Sequence, residues 1–260
     1  MSEAMARRYA LVTGATSGIG KAFAERLAES GYGIIAIARR EEPLHGLKSD
    51  LSSRFGADVL VFPADLAHPE TPDRLLEFVK VNGTAVSMLI NNAGFGVPGN
   101  LCDVEWDKHR GCIEVMATAP VRLCYLFAPL MVAGGGGTII NVSSLSAVLP
   151  PHTGGTLYYP VKSFLYQFSL AFRAEMRTEG VRVTTVCPGF TDTNFQKAAG
   201  GTVESVAVPK WLWSSPEAVA KAALAAARRN QPVSIPGLFN KATAVFFKLV
   251  PASIGRWVVS

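Results

Sequence analysis

Short apolar segments alternate with helix-length stretches along almost the whole chain, and this alternation constrains the fold more than any other feature. The apolar segments are continuous, as in parallel strands buried on both faces. They predict strands over residues 9–13, 33–38, 58–62, 85–90, 138–142, 181–186 and, briefly, 233–235. Helices are predicted over 20–30, 69–82, 105–132, 156–179 and 215–230. This order predicts one doubly wound α/β domain over residues 1–260, with a mainly parallel sheet of about seven strands.

Composition and charge exclude several other classes of protein. With 49% hydrophobic residues in 260, the chain is not intrinsically disordered. The net charge is +5, but no run of Lys and Arg exceeds two residues. Nucleic-acid binding requires a clustered basic stripe, so we expect no nucleic-acid partner. A dispersed excess of this kind is compatible with one anionic small ligand.

The cysteines and apolar runs predict a cytoplasmic protein. The four cysteines form no CxxC motif and have no neighbouring histidine pair, which argues against a metal site and a disulfide scaffold. We therefore expect reduced, buried thiols. The apolar run at residues 9–12 is too short for a signal peptide, and the run at 123–133 is about half of a membrane span.

Three glycines join the first predicted strand to the first helix. Gly14 permits a tight turn, Gly18 lets the backbone approach a pyrophosphate, and Gly20 lets helix and sheet pack closely. The strand–turn–helix context predicts a dinucleotide site. A glycine-rich turn without a ligand is the alternative.

The second predicted strand ends in Arg39 and Arg40. A site for NAD would place an acidic residue there to bind the ribose 2′-hydroxyl, whereas guanidinium groups bind a 2′-phosphate. The sequence therefore predicts NADP(H) in preference to NAD(H). Two solvated arginines at a strand end are the alternative.

Tyr158 and Lys162 are four residues apart in the helix predicted over 156–179 and therefore share a face. A nearby ammonium lowers the pKa of a tyrosine, which would make Tyr158 a general acid. An exposed pair of an aromatic ring and a cation is the alternative. Polar residues also follow the third, fourth and fifth strands, at Asp65, at 91–94 and at Ser144.

Taken in order, these motifs resemble those of the short-chain dehydrogenase/reductase family over about residues 7–235. The resemblance implies a Rossmann-type fold and an NADPH-dependent reduction of a carbonyl group, or its reverse. It implies Tyr158 as the acid/base, Lys162 as the residue that tunes it, and Ser144 as the donor to the substrate carbonyl. The implied cofactor contacts are Gly14, Thr16, Ser17, Gly18, Ile19, Gly20, Arg39, Arg40, Asp65, Leu66, Asn92, Ala93, Gly94, Tyr158, Lys162, Pro188, Gly189, Thr191 and Thr193.

The chain departs from the family pattern at two places. Many members carry a catalytic asparagine that kinks the long helix after the fourth strand, and Met116 stands at that position here. A thioether cannot replace an amide in a chain of hydrogen-bonded water. Either the helix bulge is kept by other means, or activity is reduced. Pro160 requires its helix to begin close to Tyr158.

The resemblance places substrate selection in two C-terminal segments. Residues 190–214 predict an apolar lid, and residues 237–260 a helical extension that covers the cleft or packs in a dimer, in preference to lying on a membrane. We expect an apolar carbonyl or alcohol substrate and a homodimer or homotetramer. A non-catalytic NADP-binding regulatory or scaffold protein is the alternative that Met116 motivates.

Overall fold

The seven predicted strands form one parallel sheet in the order β3-β2-β1-β4-β5-β6-β7. The computed structural model describes residues 8–150, 156–193, 209 and 212–249. The strands are β1 Arg8–Thr13, β2 Gly33–Ala38, β3 Val59–Pro63, β4 Ala85–Asn91, β5 Gly137–Val142, β6 Val181–Val186 and β7 Val233–Ser234. The prediction of a doubly wound parallel sheet is confirmed. The strand order reverses between β1 and β4, where ligands bind in sheets of this kind.

Eight α-helices flank the sheet in the described part of the chain. They are α1 Gly18–Glu29, α2 Glu41–Phe55, α3 Thr71–Val81, α4 Trp106–Ile113, α5 Ala119–Ala133, α6 Tyr158–Glu175, α7 Pro216–Arg228 and α8 Leu238–Leu249. The sequence prediction missed α2, whose Pro43 and Gly46 conceal a helical pattern. Its buried Leu44, Leu47 and Leu51 have helical spacing and are the signal that identifies it.

Alternate residues of the central strands point to two separate cores. In β1, Ala10 and Val12 pack with Phe23 of α1, while Leu11 packs with Phe127 of α5. Both phenylalanines are completely buried, and each such side chain contributes up to about 3 kcal/mol of stability. Burial on both faces explains why these strands are continuously apolar.

The helix predicted over 105–132 is continuous from Trp106 to Ala133, with a π turn at Glu114–Thr118 between α4 and α5. It is also the one helix in the described residues that is long and apolar enough to span a membrane by length and composition. However, 56% of its most apolar window is buried in protein, as in a core helix.

The starts of two other helices, α7 and α6, lie where the sequence predicts them. Ser215 caps α7, its Oγ accepting the Ala218 N–H at 3.2 Å, and Pro216 occupies the first turn. Helix α6 begins at Tyr158, which places Pro160 within its first turn.

The prediction that all four thiols are buried needs a correction. Three are buried, but Cys102 is exposed because it lies in a surface 3₁₀ turn.

A buried amide network ties the carboxyl end of the sheet to α6. The Asn91 Nδ2 donates to the Asn141 Oδ1 at 2.8 Å, and the Asn141 Nδ2 donates to the Ser169 Oγ at 2.9 Å. All three residues are at most 2% exposed. Loss of Asn141 would remove both hydrogen bonds and leave the Asn91 Nδ2 only two long contacts of 3.5 Å, with the Pro120 carbonyl and the Cys124 Sγ.

We therefore expect Asn141→Ala to lower the free energy of unfolding by about 2–4 kcal/mol, since it removes two buried hydrogen bonds and weakens the hydrogen bonding of the buried Asn91 amide. Urea unfolding followed by circular dichroism measures the change. Asn100→Ala is the matched control, because the Asn100 amide bonds to Asp103 at the surface. Equal stability of the two variants would contradict the role of the network.

Candidate active site

Two adjoining cavities lie at the carboxyl edge of the sheet, at the point where the strand order reverses. One has a volume of about 380 Å³ and the other about 320 Å³, and Ile19, Asn92, Gly94 and Thr193 line both. Every predicted cofactor residue except Gly20 lines one of the two cavities. A larger cavity of about 690 Å³ opens at the opposite edge, but none of the predicted site residues lines it.

The glycine loop between β1 and α1 forms one wall of the cavity of about 380 Å³, which is the predicted cofactor cavity. Gly14 and Gly18 have φ values of +66° and +52°, which favour glycine. Gly20 is buried behind the loop, where an added Cβ would lie 2.2 Å from the Gly14 carbonyl oxygen. Its role is therefore close packing of α1 on the loop and not contact with a ligand.

Asn92 holds the glycine loop to β4. Its side-chain Nδ2 donates to the Thr13 carbonyl at 2.9 Å, while the Thr13 Oγ1 accepts the backbone N–H groups of Asn92 and Ala93. Thr13 is almost completely buried. Asn92 therefore shapes the cavity, in addition to lining it.

The arginines at the end of β2 line the same cavity. Arg39 and Arg40 are exposed, and neither forms an ion pair with a residue that the structure describes. Asp65 lies across from them after β3, where its Oδ1 accepts the Ala67 N–H at 2.9 Å. Two guanidinium groups without a carboxylate partner are available to an anionic group.

Ser144, Tyr158 and Lys162 converge on the smaller cavity. The Ser144 Oγ accepts the Ser146 N–H at 3.2 Å and shares a hydrogen bond with Tyr158. The Lys162 Nζ donates to the Val142 carbonyl at 2.9 Å and lies 5.9 Å from the centre of the Tyr158 ring. The structure thus brings the three predicted catalytic side chains together.

Ser143 has a supporting role that the sequence did not predict. Its Oγ donates to the Lys162 carbonyl at 2.7 Å, which anchors the first turns of α6 to the end of β5. The only signal in the sequence is a hydroxyl residue at a strand end, a position that serves many purposes. The role becomes visible only when α6 is placed against β5.

The pKa of Tyr158 moves opposite to the predicted direction. Burial raises the pKa of Tyr158, and the hydrogen bond with Ser144 offsets part of that rise. The tyrosine retains some accessible surface through the cavity, but dense protein around its ring disfavours the phenolate. Burial also lowers the pKa of Lys162 to about 8. Without a bound cofactor, Tyr158 therefore stays protonated at neutral pH.

The helix bulge is present although Met116 replaces the family's asparagine. In the π turn at Glu114–Thr118, the Ala119 N–H donates to the Glu114 carbonyl. Pro120 follows directly; it has no N–H for the Met116 carbonyl, and its ring would clash with that carbonyl in a regular α-helix. The proline thus provides a physical reason for the bulge.

Met116 itself fills space beside the site. It is completely buried, and an added Cβ on Gly94 would lie 2.9 Å from its Sδ and 3.7 Å from the Lys162 Nζ. The thioether therefore packs on Gly94 close to the lysine, where it offers only a weak acceptor for a hydrogen bond.

The segment after β6 closes one side of the cleft. Thr193 packs on Gly18, since an added Cβ there would lie 2.9 Å from the Thr193 Cγ2. The Thr191 Oγ1 donates to the Gly189 carbonyl at 3.0 Å, and Phe190 lies against Trp213. Most of the predicted lid over 190–214 lies outside the described residues, as does 250–260 of the predicted C-terminal extension.

The two adjoining cavities together fit a nicotinamide dinucleotide. The glycine loop turns through Gly14 and Gly18 and places the start of α1 on the cavity wall, and such a helix start binds pyrophosphate. The arginines stand at one end of the cleft, and Tyr158 and Lys162 at the other. This arrangement provides an anionic end and a reacting end for one extended ligand.

Comparison with known proteins matches the chain to one family. Residues 8–203 match the family model described as short chain dehydrogenase. The sulfoacetaldehyde reductase of Chromohalobacter salexigens is 32% identical over 71% of this chain and 72% of its own. The very-long-chain 3-oxoacyl-CoA reductase of Bos taurus is 30% identical over 83% of this chain and 67% of its own.

Solved structures agree over nearly the full length. A short-chain dehydrogenase from Sphingobium yanoikuyae in complex with NADPH superposes with a TM-score of 0.82 and 27% identity, covering 94% of this chain and 96% of that one. A 7β-hydroxysteroid dehydrogenase superposes with a TM-score of 0.86 and 25% identity, covering 97% of both chains.

We expect Gly20→Ala to weaken NADPH binding by at least about tenfold, because a Cβ at this position displaces the phosphate-binding turn. Titration of NADPH fluorescence measures the affinity. The matched control is Gly46→Ala on α2, where an added Cβ meets no atom within 4 Å. That variant should bind NADPH normally; an equally weakened control would contradict the local explanation.

Proposed function

Because this chain belongs to the short-chain dehydrogenase/reductase family, we propose that it is an NADPH-dependent reductase of apolar ketones or 3-oxoacyl compounds. The observation that carries this proposal is the convergence of Ser144, Tyr158 and Lys162 on a cavity that adjoins the predicted cofactor cavity. The chain is an oxidoreductase that acts on CH–OH or C=O groups, as its named relatives are dehydrogenases and reductases. The reverse oxidation of an alcohol uses the same groups.

Ser144 and Tyr158 have different roles toward the oxygen of a carbonyl substrate. When bound, NADPH supplies the hydride. The Ser146 N–H already occupies one lone pair of the Ser144 Oγ, so the serine hydroxyl can donate to the substrate oxygen as negative charge develops there. Tyr158, protonated at neutral pH, delivers its proton to that oxygen.

Lys162 acts on the tyrosine that has lost its proton. The ammonium is buried and held by the Val142 carbonyl, so its position does not depend on the substrate. Its charge favours the phenolate that forms as Tyr158 donates. Burial already opposes that phenolate, so Lys162 offsets a cost that the site itself imposes.

The lining of the smaller cavity supports an apolar substrate. Apart from Lys162, the described lining contains no charged residue. Apolar and aromatic contacts come from Leu145, Leu149, Pro150, Tyr159 and Phe190. The bovine relative named a very-long-chain 3-oxoacyl-CoA reductase supports a 3-oxoacyl substrate. The 7β-hydroxysteroid dehydrogenase neighbour supports a bulky apolar alcohol or ketone.

The two arginines at the end of β2 support NADP(H) in preference to NAD(H). Neither has an ion-pair partner in the described structure, and both line the cofactor cavity. The structural neighbour from Sphingobium yanoikuyae, which is in complex with NADPH, supports the same cofactor.

We also propose that the protein is a homodimer or homotetramer in the cytoplasm. Exposed aromatic side chains on α5 and α6, including Tyr125 and Phe164, support self-association.

We expect Tyr158→Phe to lower kcat at least about a hundredfold, since the substrate oxygen loses its proton donor. NADPH oxidation is followed at its absorbance band across a panel of ketones and 3-oxoacyl thioesters. Affinity for NADPH should remain within a factor of about two, because the tyrosine hydroxyl is not part of the phosphate-binding loop.

Tyr125→Phe, at an exposed position on α5, is the matched control and should keep full activity. Full turnover by Tyr158→Phe would refute the catalytic assignment. NADPH binding by the unaltered protein without turnover of any substrate would favour the non-catalytic alternative.

We expect Arg39→Asp to shift preference from NADPH to NADH by about a hundredfold or more in the ratio of kcat/KM values, because the aspartate repels a 2′-phosphate and binds a 2′-hydroxyl. Steady-state kinetics with both cofactors measures the ratio. Arg177→Asp makes the same charge change at an exposed position after α6 and should leave the ratio unchanged. Tighter binding of NADH than NADPH by the unaltered protein would refute the assignment of Arg39.

A further inference from the structure

Helix α8 packs one face on the rest of the described structure and exposes an apolar stripe on the opposite face. Asn240 and Ala244 point inward and are 6% and 8% exposed. The outward stripe repeats at intervals of four, three and four residues, which places its members on one side of a helix. These residues are Leu238, Ala242, Val245 and Leu249. Leu238 and Leu249 are 86% and 77% exposed.

Different side chains border the two edges of this outward stripe. Phe239 and Phe246 lie along one edge, and at least half of each is exposed. Lys241 and Lys248 lie along the other edge, and both are exposed. An apolar stripe bordered by aromatic rings and lysines is the pattern of a helix that lies in a membrane interface.

The charge of the C-terminal part of the chain has one sign. After Glu217 the sequence contains no Asp or Glu. Its charged residues there are Lys221, Arg228, Arg229, Lys241, Lys248 and Arg256. These six positive charges exceed the net charge of +5 that the whole chain carries. A surface that covers α8 must therefore accept cations at its border.

We propose that the outward face of α8 docks on an anionic lipid bilayer. The lipid interface accepts the apolar stripe, and anionic headgroups neutralise the two lysines. A second copy of α8 is less suitable, because an antiparallel contact about a two-fold axis would bring the two lysine edges together. No acidic residue on α8 could offset that repulsion. The small number of cations in the sequence favours packing, but the structure places both lysines of α8 on one edge of an exposed stripe.

Helix α8 packs its inward face against the wall of the proposed substrate cavity, and the docking face lies on the opposite side of the helix. An added Cβ on Gly189 would lie 2.4 Å from the Asn240 Oδ1, so α8 packs on the loop that lines this cavity. Helix α8 also contacts the turn Leu145–Val148 after Ser144. If the proposed reduction of apolar ketones is correct, docking would place the cavity beside the phase in which such substrates dissolve. This link rests on the proposed function, whereas the docking itself does not.

Vesicle sedimentation of the full chain tests the proposal. We expect binding to mixed phosphatidylcholine and phosphatidylserine vesicles, and much weaker binding to phosphatidylcholine alone. The combined variant Leu238→Gln, Val245→Gln, Leu249→Gln should bind at least about tenfold more weakly. Replacing Lys241 and Lys248 with glutamine should weaken binding about fivefold for each lysine.

Matched controls come from another helix surface. Val81→Gln removes an apolar side chain that is 85% exposed on α3, and Lys48→Gln removes an exposed lysine on α2. Both should bind vesicles as the unaltered protein does. NADPH oxidation in vesicle-free buffer, with the best substrate of the panel of ketones and 3-oxoacyl thioesters, should be unchanged in every α8 variant. This panel also separates the two proposals, since no turnover of any substrate by the unaltered protein would refute the reductase and leave the vesicle result intact.

Three results would overturn the docking proposal. The first is that the unaltered protein fails to bind anionic vesicles. The second is that the triple variant binds them as the unaltered protein does. The third is that the triple variant converts an oligomer to a monomer in light scattering while no protein binds vesicles, which would assign the face to a second copy.

Discussion

The shape of the predicted cofactor cavity depends on how closely α1 approaches the carboxyl ends of β1 and β4. A Cβ on Gly20 would lie 2.2 Å from the Gly14 carbonyl oxygen and 2.5 Å from the Asn92 Nδ2, so only glycine permits the contact. The Asn92 amide then fastens the loop to the Thr13 carbonyl. Because this contact brings the start of α1 to the switch point of the sheet, backbone N–H groups face the cavity where phosphates would bind.

A second set of buried hydrogen bonds, between the end of β5 and α6, positions the catalytic side chains. Ser143 holds the backbone of Lys162, the Val142 carbonyl holds its ammonium, and Asn141 bonds to Ser169 two turns further along α6. These contacts come from three successive residues at the end of β5. They fix the start of α6 firmly enough that Tyr158 and Ser144 meet without a ligand, which is the preorganisation that electrostatic catalysis requires.

Sequence reasoning succeeded where the signal is local and failed where it depends on neighbours. The seven strands, the cap at Ser215 and the start of α6 at Tyr158 follow from burial on both faces, a capping hydroxyl and a proline. Helix α2 was missed because Pro43 and Gly46 weaken its propensity, while the burial of Leu44 against the sheet compensates. The pKa of Tyr158 was predicted in the wrong direction, because an i, i+4 spacing reports a nearby cation but not the desolvation of the ring.

The sequence alone therefore determined the doubly wound sheet, the glycine loop and the residues that gather at its carboxyl edge. Each of these depends on the order of apolar segments and on residue types that act through their own backbone. Only the tertiary structure decided the bulge beside Met116, the balance of burial and charge at Tyr158, and the exposed apolar stripe of α8. These depend on which surfaces meet, because burial and electrostatic interactions are set by atoms distant in sequence.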